Sequence, residues 1–314
     1  MTDIIKPETL ISQEDAKDMY DIGGILGISE DDLAGYDAKT STLSALISGL
    51  PKVGKTKLCG TSNLPILFYS FDPKSTVVLH QFYPELMKKR WIVVIPFWDD
   101  GGYKAPQAYR AWEKIYENHK NSGFLNRFGT VVIDSYTSWL RAAGNEWLYQ
   151  QNQKRANKKG GKQLDQLAQG DYPGLYNLSS VMIHELSSGS WNFLLTCHLN
   201  IIRDEESGID TRVELLVYKS LKTEIPSLFS ENYILTKRPS GPGSVEYILL
   251  TDASGIYNIA GSQLRKDGIL SVKEIPNFRH LFKKAGVNYK DLPHWKTGEK
   301  LNKDDLPEEI AKYL

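Results

Sequence analysis

The chain has 314 residues, 41% apolar and 24% charged, with a formal net charge of zero. This length and composition exclude a disordered or fibrous protein and leave one large domain, or a core with appendages, able to bury a substantial interior. The apolar runs, such as WIVVIPF, stop far short of a membrane span, and the N-terminus lacks the basic start and apolar stretch of a secretion signal, so no membrane partner and a cytoplasmic location are expected.

Charge is uneven along the chain. Residues 1–40 carry ten acidic and three basic side chains, leaving the remainder net +7. They read as a solvated acidic leader, with competition against an anionic ligand for a basic surface as the alternative. STLSALISG then runs as a strand into GLPKVGKT (49–56), which satisfies GxxxxGK[ST], and KTKLCGTSN supplies a following helix. A strand, a Gly-rich turn and a helix in that order aim several backbone N–H groups at one spot, where phosphate oxygens are held. Gly49, Pro51, Lys52, Val53, Gly54, Lys55, Thr56 and Lys57 are the expected phosphate-binding set. Lys55 reaches the β and γ phosphates and the Thr56 hydroxyl ligates magnesium, so ATP and Mg2+ are the implied ligands. Cys59 and Cys197 have no metal-ligand spacing and read as reduced, buried thiols.

Further apolar runs follow at α/β spacing: ILFYSF (66–71), WIVVIPF (91–97), TVVID (130–134) and WNFLLTCH (191–198). Such continuous runs suit strands buried on both faces of a parallel sheet. Helical patterns separate them, in QAYRAWEKIYENHK, SYTSWLRAAGNEWLYQQ and GLYNLSSVMIHELSSG. Tyr109, Trp112 and Tyr116 form an aromatic stripe that reads as core. The elements add up to a doubly wound α/β core with phosphate at the carboxyl edge of its strands.

Asp134 closes TVVID and is expected to hold magnesium beside Thr56, a helix N-cap being its structural alternative. No acid follows it, so a water-positioning carboxylate must come from another strand. Asp72, ending the strand after the phosphate turn, is the candidate, with Asp99 and Asp100 as competitors and a turn-forming Asp before Pro73 as the plain reading. His198 closes the last apolar strand, where it either senses the γ-phosphate or serves as a satisfied core residue.

GLPKVGKT, the IDS strand without an adjacent glutamate, the TCH strand and TEIPSLFSENYIL together resemble RecA-type ATPases, and most closely the phage nucleotide-binding proteins of the single-strand-annealing type. The resemblance covers roughly residues 42–268. It implies a RecA-like P-loop core, ATP hydrolysis, and homo-oligomers with nucleotide between subunits. It also implies single-stranded DNA as partner in phage recombination or replication, with a single-stranded-DNA-binding protein as a further one. SFDPKS departs from the family by lacking glycines after its acidic residue.

Lys154, Arg155, Lys158, Lys159 and Lys162 fall in QKRANKKGGKQ, whose paired glycines suggest a loop able to track a phosphate backbone; a solvated surface loop is the alternative. Tyr172 just beyond reads as a turn-and-core residue or a base-stacking one. The polar, charge-rich stretch after His198 is expected as a connection able to change order with nucleotide state. SENYILTKR and GSVEYILLTD read as an antiparallel hairpin. By the family resemblance Arg265 in GSQLRKDG is the candidate finger toward a neighbouring subunit's nucleotide, with Arg238, Lys219 and Lys222 as alternatives. Three segments are therefore expected: the leader 1–40, an ATPase core 41–268 and a helical C-terminal extension 269–314. A non-enzymatic ATP-dependent assembly module and a small-molecule kinase are the competing functions.

Overall fold

The computed structural model describes residues 42–98, 101–157, 162–287 and 290–313; the acidic leader, Asp99, Asp100, Lys158 and Lys159 lie outside them. The chain enters through β1 (Ser44–Gly49), α1 (Lys55–Cys59), β2 (Ile66–Ser70), α2 (Val77–Phe82), α3 (Pro84–Lys88) and β3 (Ile92–Pro96). It continues through α4 (Ala108–Asn121), β4 (Thr130–Asp134), α5 (Tyr136–Ala156), α6 (Tyr172–Ser187), β5 (Asn192–Arg203) and β6 (Asp210–Leu215). The last elements are α7 (Leu221–Ser227), β7 (Glu231–Gly241), β8 (Ser244–Leu250), β9 (Gly261–Ser262), β10 (Lys273–Glu274), α8 (Phe278–Ala285) and α9 (Glu308–Ala311).

Strands run in the order β10-β8-β7-β1-β5-β4-β2-β3, parallel from β7 to β3, while β8 and β10 add on antiparallel. This is a mostly parallel α/β sheet with antiparallel strands added at one edge. Alternate side chains of each inner strand enter different cores. Leu46, Val131, Ile133, Phe193 and Leu195 join the face covered by α4, α5 and α6; Ala45, Ile47, Val132 and Leu194 join the face covered by α1, α2, α3 and α8. Burial on both sides is why these strands show no polar alternation. In α4, Tyr109, Trp112 and Tyr116 are buried, and Trp112 stacks on Tyr116 with centroids 5.1 Å apart and meets Trp139 edge-on. The aromatic stripe is core.

Three expectations change. The stretch after His198 is an ordered hairpin: β5 runs on to Arg203 and pairs antiparallel with β6, burying Val213 and Leu215. Helix α5 extends to Ala156, so Lys154 and Arg155 occupy its last turn rather than a loop. Residues after 268 are not a separate tail. Phe278, Leu281, Phe282 and Ile310 fill the core on the α1 face, the Phe278 N–H donates to Thr61 Oγ1 (2.9 Å), and Lys57 pairs with Glu309 (2.9 Å).

This C-terminal strap is locked at its far end by Arg279. Its fully buried guanidinium donates through Nη1 and Nη2 to both oxygens of Asp291 (3.1 and 2.9 Å), and Asp291 Oδ1 also accepts from the Leu64 N–H (2.8 Å). Planar bidentate geometry and burial make this a pair that is costly to break by halves. Asp291→Ala is expected to lower the unfolding free energy by about 3–5 kcal/mol, read as a lower denaturant midpoint at an unchanged slope. A midpoint equal to that of the parent protein would show that the strap is not held through this pair. Among the described residues no helix is long and apolar enough to cross a membrane.

Candidate functional site

Parallel register brings the predicted residues to one level. Gly49 is paired with His198 across β1 and β5, and Ser70 with Asp134 across β2 and β4, so the carboxyl ends of four adjacent strands form a continuous ledge. At Gly49 a side chain has no room, since a Cβ there would sit 2.6 Å from the Leu235 carbonyl oxygen. The turn then reverses through Lys52 (φ 63°) and Gly54 (φ 96°), a left-handed conformation that Gly54 adopts without steric cost.

Lys55 points back into this turn and is 6% exposed. Its Nζ donates to the carbonyl oxygens of Gly49 (2.9 Å) and Leu50 (3.1 Å) and lies 3.2 Å from His198 Nδ1. Burial pulls its pKa below the ordinary lysine range, and the carboxylates of Asp134 and Asp72 offset this only in part. An anion held in the turn would supply the missing compensation, which is what a phosphate does. Pro51 has no N–H and the Val53 side chain is buried in the core, so any phosphate contact of Val53 is through its backbone. Lys57 offers its backbone too: its ammonium pairs with Glu309 and lies 3.8 Å over the Phe82 ring, committed to the strap.

Asp134 is 2% exposed at the end of β4. Its Oδ2 accepts from Thr56 Oγ1 (2.8 Å) and Ser75 Oγ (3.3 Å), and its Oδ1 from Thr196 Oγ1 (2.6 Å). Burial raises its pKa; the Thr196 and Thr56 hydroxyls work against that, and the nearby Asp72 charge adds to it. The helix-cap alternative falls to its neighbour: Ser135 Oγ accepts from the Ser138 N–H at the start of α5. A hydroxyl beside one carboxylate is an all-oxygen donor pair of the kind Mg2+ uses when phosphates and water complete its shell. One hydroxyl and one carboxylate would leave most of a Mg2+ shell to phosphate and water, and no group of three or more His, Cys, Asp or Glu side chains suited to a metal occurs among the described residues.

Asp72, His198 and Lys55 form a chain. His198 Nε2 lies 3.3 Å from Asp72 Oδ2, and Asp72 Oδ1 accepts a short hydrogen bond from Ser138 Oγ. Because an ammonium can only donate, His198 Nδ1 is the acceptor for Lys55, and the proton on Nε2 is directed at Asp72. Burial pushes the Asp72 pKa up, but the His198 and Ser138 hydrogen bonds outweigh it and leave the carboxyl below its ordinary range. Asp72 is thus an ionised carboxylate tied through one imidazole to Lys55. Thr137 fixes the backbone here by accepting from the His198 N–H (3.1 Å).

The hydroxyls Thr196, Ser75, Ser138 and Thr137 escaped the sequence reading. Thr196 had a signal, a polar residue inside an apolar strand that must find a buried partner.

The basic segment stands apart from this ledge in sequence and has a defined base. Asn152 brackets it, donating from Nδ2 to the Leu164 carbonyl (2.8 Å) and accepting from the Leu164 N–H (2.8 Å). Lys154 and Lys162 are exposed. Tyr172 opens α6 and meets Tyr218 edge-on at 5.1 Å. Arg265 is engaged within its own chain, by Asp252 and by the Leu270 carbonyl (3.3 Å). Arg238 pairs with Glu246 and Lys222 with Glu214, and among the described residues no ion pair is found for Lys219.

No protein-family model matches the sequence, and no curated protein does. Among solved structures the chain is similar to an ATPase from the type III secretion system of pathogenic bacteria, at 17% identity over 64% of this chain and 56% of that one, with a TM-score of 0.37. It is similar to the ATPase EscN in complex with its stalk EscO from enteropathogenic E. coli, at 16% identity over 64% and 45%, TM-score 0.37. It is also similar to the RadB recombinase, at 14% identity over 69% and 90%, TM-score 0.36. The chain spans about half the length of the secretion ATPases it matches. At these identities and TM-scores the likeness carries no argument about this chain.

A carboxyl whose folded pKa lies above its unfolded value gives stability that is lost as pH rises through that window, so ionised Asp134 costs the ligand-free protein stability at neutral pH. Asp134→Asn can still accept from Thr196 while its amide N–H faces Thr56. It is expected to raise the thermal midpoint of the metal-free protein at pH 7 by about 2–4 °C and to flatten its fall above the ordinary carboxylate range. A lower midpoint in differential scanning calorimetry would contradict this account of Asp134.

Proposed function

We propose that the chain binds ATP with magnesium, hydrolyses it, and uses the cycle to act on single-stranded DNA in phage annealing, recombination or replication, as a homo-oligomer with nucleotide between subunits. The observation that carries the reading is the convergence of Lys55, Thr56 and Asp134 on one ledge with the Asp72–His198–Lys55 chain beside them. A structural site would have no use for a buried ammonium whose charge is only partly compensated.

Lys55 leaves the Gly49 and Leu50 carbonyls to pair with phosphate oxygens. Thr56 and Asp134 would hold magnesium, and the ion would supply neutralisation of the charge developing on the phosphates. Asp72 orients the attacking water and accepts its proton as the water oxygen bonds to the γ-phosphorus and the bond to the β–γ bridging oxygen breaks. His198 loses or keeps Lys55 as partner according to whether phosphate is present, and the β5–β6 hairpin continues directly from it. Lys154, Arg155 and Lys162, with Lys158 and Lys159 between them, supply charge for a phosphate backbone from a segment whose base Asn152 holds.

Lys55→Ala is expected to abolish both ATP binding and turnover. Asp72→Asn is expected to keep ATP binding and lower turnover by about 100-fold or more. Replacing Lys154, Arg155 and Lys162 with Glu is expected to weaken single-stranded DNA binding and reduce the log–log salt slope by about 2. ATP hydrolysis measured with and without single-stranded DNA tests the whole reading. No DNA effect on hydrolysis, together with no DNA binding at low salt, would overturn the DNA half; tight ATP binding without turnover, unaffected by Asp72→Asn, would make the chain an ATP-dependent assembly module instead.

A further inference from the structure

Asp72 is held at both carboxylate oxygens, and its two holders differ in kind. Oδ2 faces His198 Nε2 at 3.3 Å, and that imidazole is tied through Nδ1 to Lys55. Oδ1 accepts a short hydrogen bond from Ser138 Oγ, which belongs to the first turn of α5. Lys55 changes partners when it meets a phosphate, so the histidine's hold on Asp72 depends on the ligand. The serine's hold comes from a helix start instead of from the phosphate turn.

That helix start is firmly seated. The Ser138 N–H donates to Ser135 Oγ (3.4 Å), the cap of α5, and the Trp139 N–H donates to the Ser135 carbonyl (2.9 Å). Tyr136 and Trp139 flank Ser138 and are fully buried, with ring centroids 5.7 Å apart, and Trp139 meets Trp112 of α4 edge-on. Close packing of this kind fixes the backbone from which the hydroxyl projects. The residue before Ser138 does the same for the other partner, since Thr137 Oγ1 accepts from the His198 N–H (3.1 Å). Two consecutive residues of one helical turn therefore fix the backbone of the histidine and the carboxylate of the aspartate.

A carboxylate that takes a proton from water needs a fixed plane and a free lone pair. Each of its oxygens can accept more than one hydrogen bond, so Oδ1 keeps a site for water while Ser138 occupies another. The torsion that turns an aspartate carboxylate has broad wells and supplies little rigidity of its own. A displacement of about 1 Å at a reacting group can cost about 100-fold in rate.

We propose that Ser138 is the positioning residue for Asp72, keeping its carboxylate aimed at the attacking water when bound phosphate has drawn Lys55 away from His198. The inference rests on the nucleotide reading above and adds to it a residue that neither binds phosphate nor ligates the cation. Ser138 acts on the rate through Asp72 and leaves ATP affinity to the phosphate turn.

The test measures ATP affinity and steady-state hydrolysis, both with magnesium, for the full chain and for Ser138→Ala, Ser138→Thr, Asp72→Asn and the Ser138→Ala/Asp72→Asn double variant. Ser138→Ala is expected to lower kcat by about 10–100-fold while its ATP dissociation constant stays within about twofold of the parent, which also shows that the site is folded. Ser138→Thr keeps the hydroxyl and is expected to recover most of the rate. The double variant is expected to be no slower than Asp72→Asn alone, because residues that act as a unit are not additive. A parent-like kcat in Ser138→Ala would overturn the inference, as would equal losses in the Ala and Thr variants, which would assign the effect to packing of the helix start. Lost ATP affinity in Ser138→Ala, or losses that multiply in the double variant, would overturn it too, and all four outcomes leave the nucleotide reading standing. A parent protein that binds ATP without turning it over, or that hydrolyses it equally fast after Asp72→Asn, would overturn the inference together with the role given to Asp72.

Discussion

Asp134 reaches the phosphate turn across a strand, because β5 rather than β4 is hydrogen-bonded to β1. Interposing β5 puts His198 at the level of Gly49, between the turn and the two acidic strand ends. The lysine can then touch a histidine on one side while the threonine that follows it touches the aspartate on the other. Were β4 paired directly to β1, Asp134 would lie alongside the turn and His198 would not stand between Lys55 and Asp72. The parallel register of four strand ends thus does what a cluster of loops would do less rigidly, and the helices on both faces hold it.

This ledge is electrostatically incomplete by itself. Lys55 is buried with its charge only partly offset, Asp134 is buried with its ionised form disfavoured, and Asp72 alone is well supported as an anion. A ligand carrying several negative charges and a cation would compensate Lys55 and Asp134 at once. Function is written here as a deficit that folding leaves open. Among the described residues the ledge is flanked by two dense cores, with a C-terminal strap tied by Arg279 and Asp291 to the loop that enters β2.

Much of this was legible in sequence for identifiable reasons. Strands buried on both faces leave uninterrupted runs such as TVVID, and the chemistry of a phosphate turn needs its Gly, Lys and Thr at fixed spacing, so β1, β2, β4, β5, Lys55 and Thr56 announce themselves. Asp72 and His198 could be placed at the same edge because strand ends are where apolar runs stop. Their mutual contact could not, since it depends on the order β1-β5-β4-β2, which no local pattern encodes. The hydroxyls of Ser75, Ser138 and Thr196 were invisible for the same reason: serine and threonine are common, and only register decides which meet a carboxylate. The β5–β6 hairpin was masked by its charge. Arg203 and Asp210 pair across it and Arg212 faces outward, so half of each strand reads as loop while Val213 and Leu215 alternate inward. The strap was hidden in a polar stretch whose apolar residues, Phe278, Leu281 and Phe282, follow helical spacing over barely two turns.

The clasp between Lys57 and Glu309 has a further meaning for how the molecule is made. The helix that follows the phosphate turn is covered by Phe278, Phe282 and Ile310, all more than two hundred residues later in the chain. During synthesis, which proceeds from the N-terminus, the side of α1 that bears Leu58 and Cys59 lacks this cover until those residues emerge from the ribosome. The phosphate turn is made more than two hundred residues before the strap that covers its helix, so a nascent chain completes this packing only once Ile310 is available.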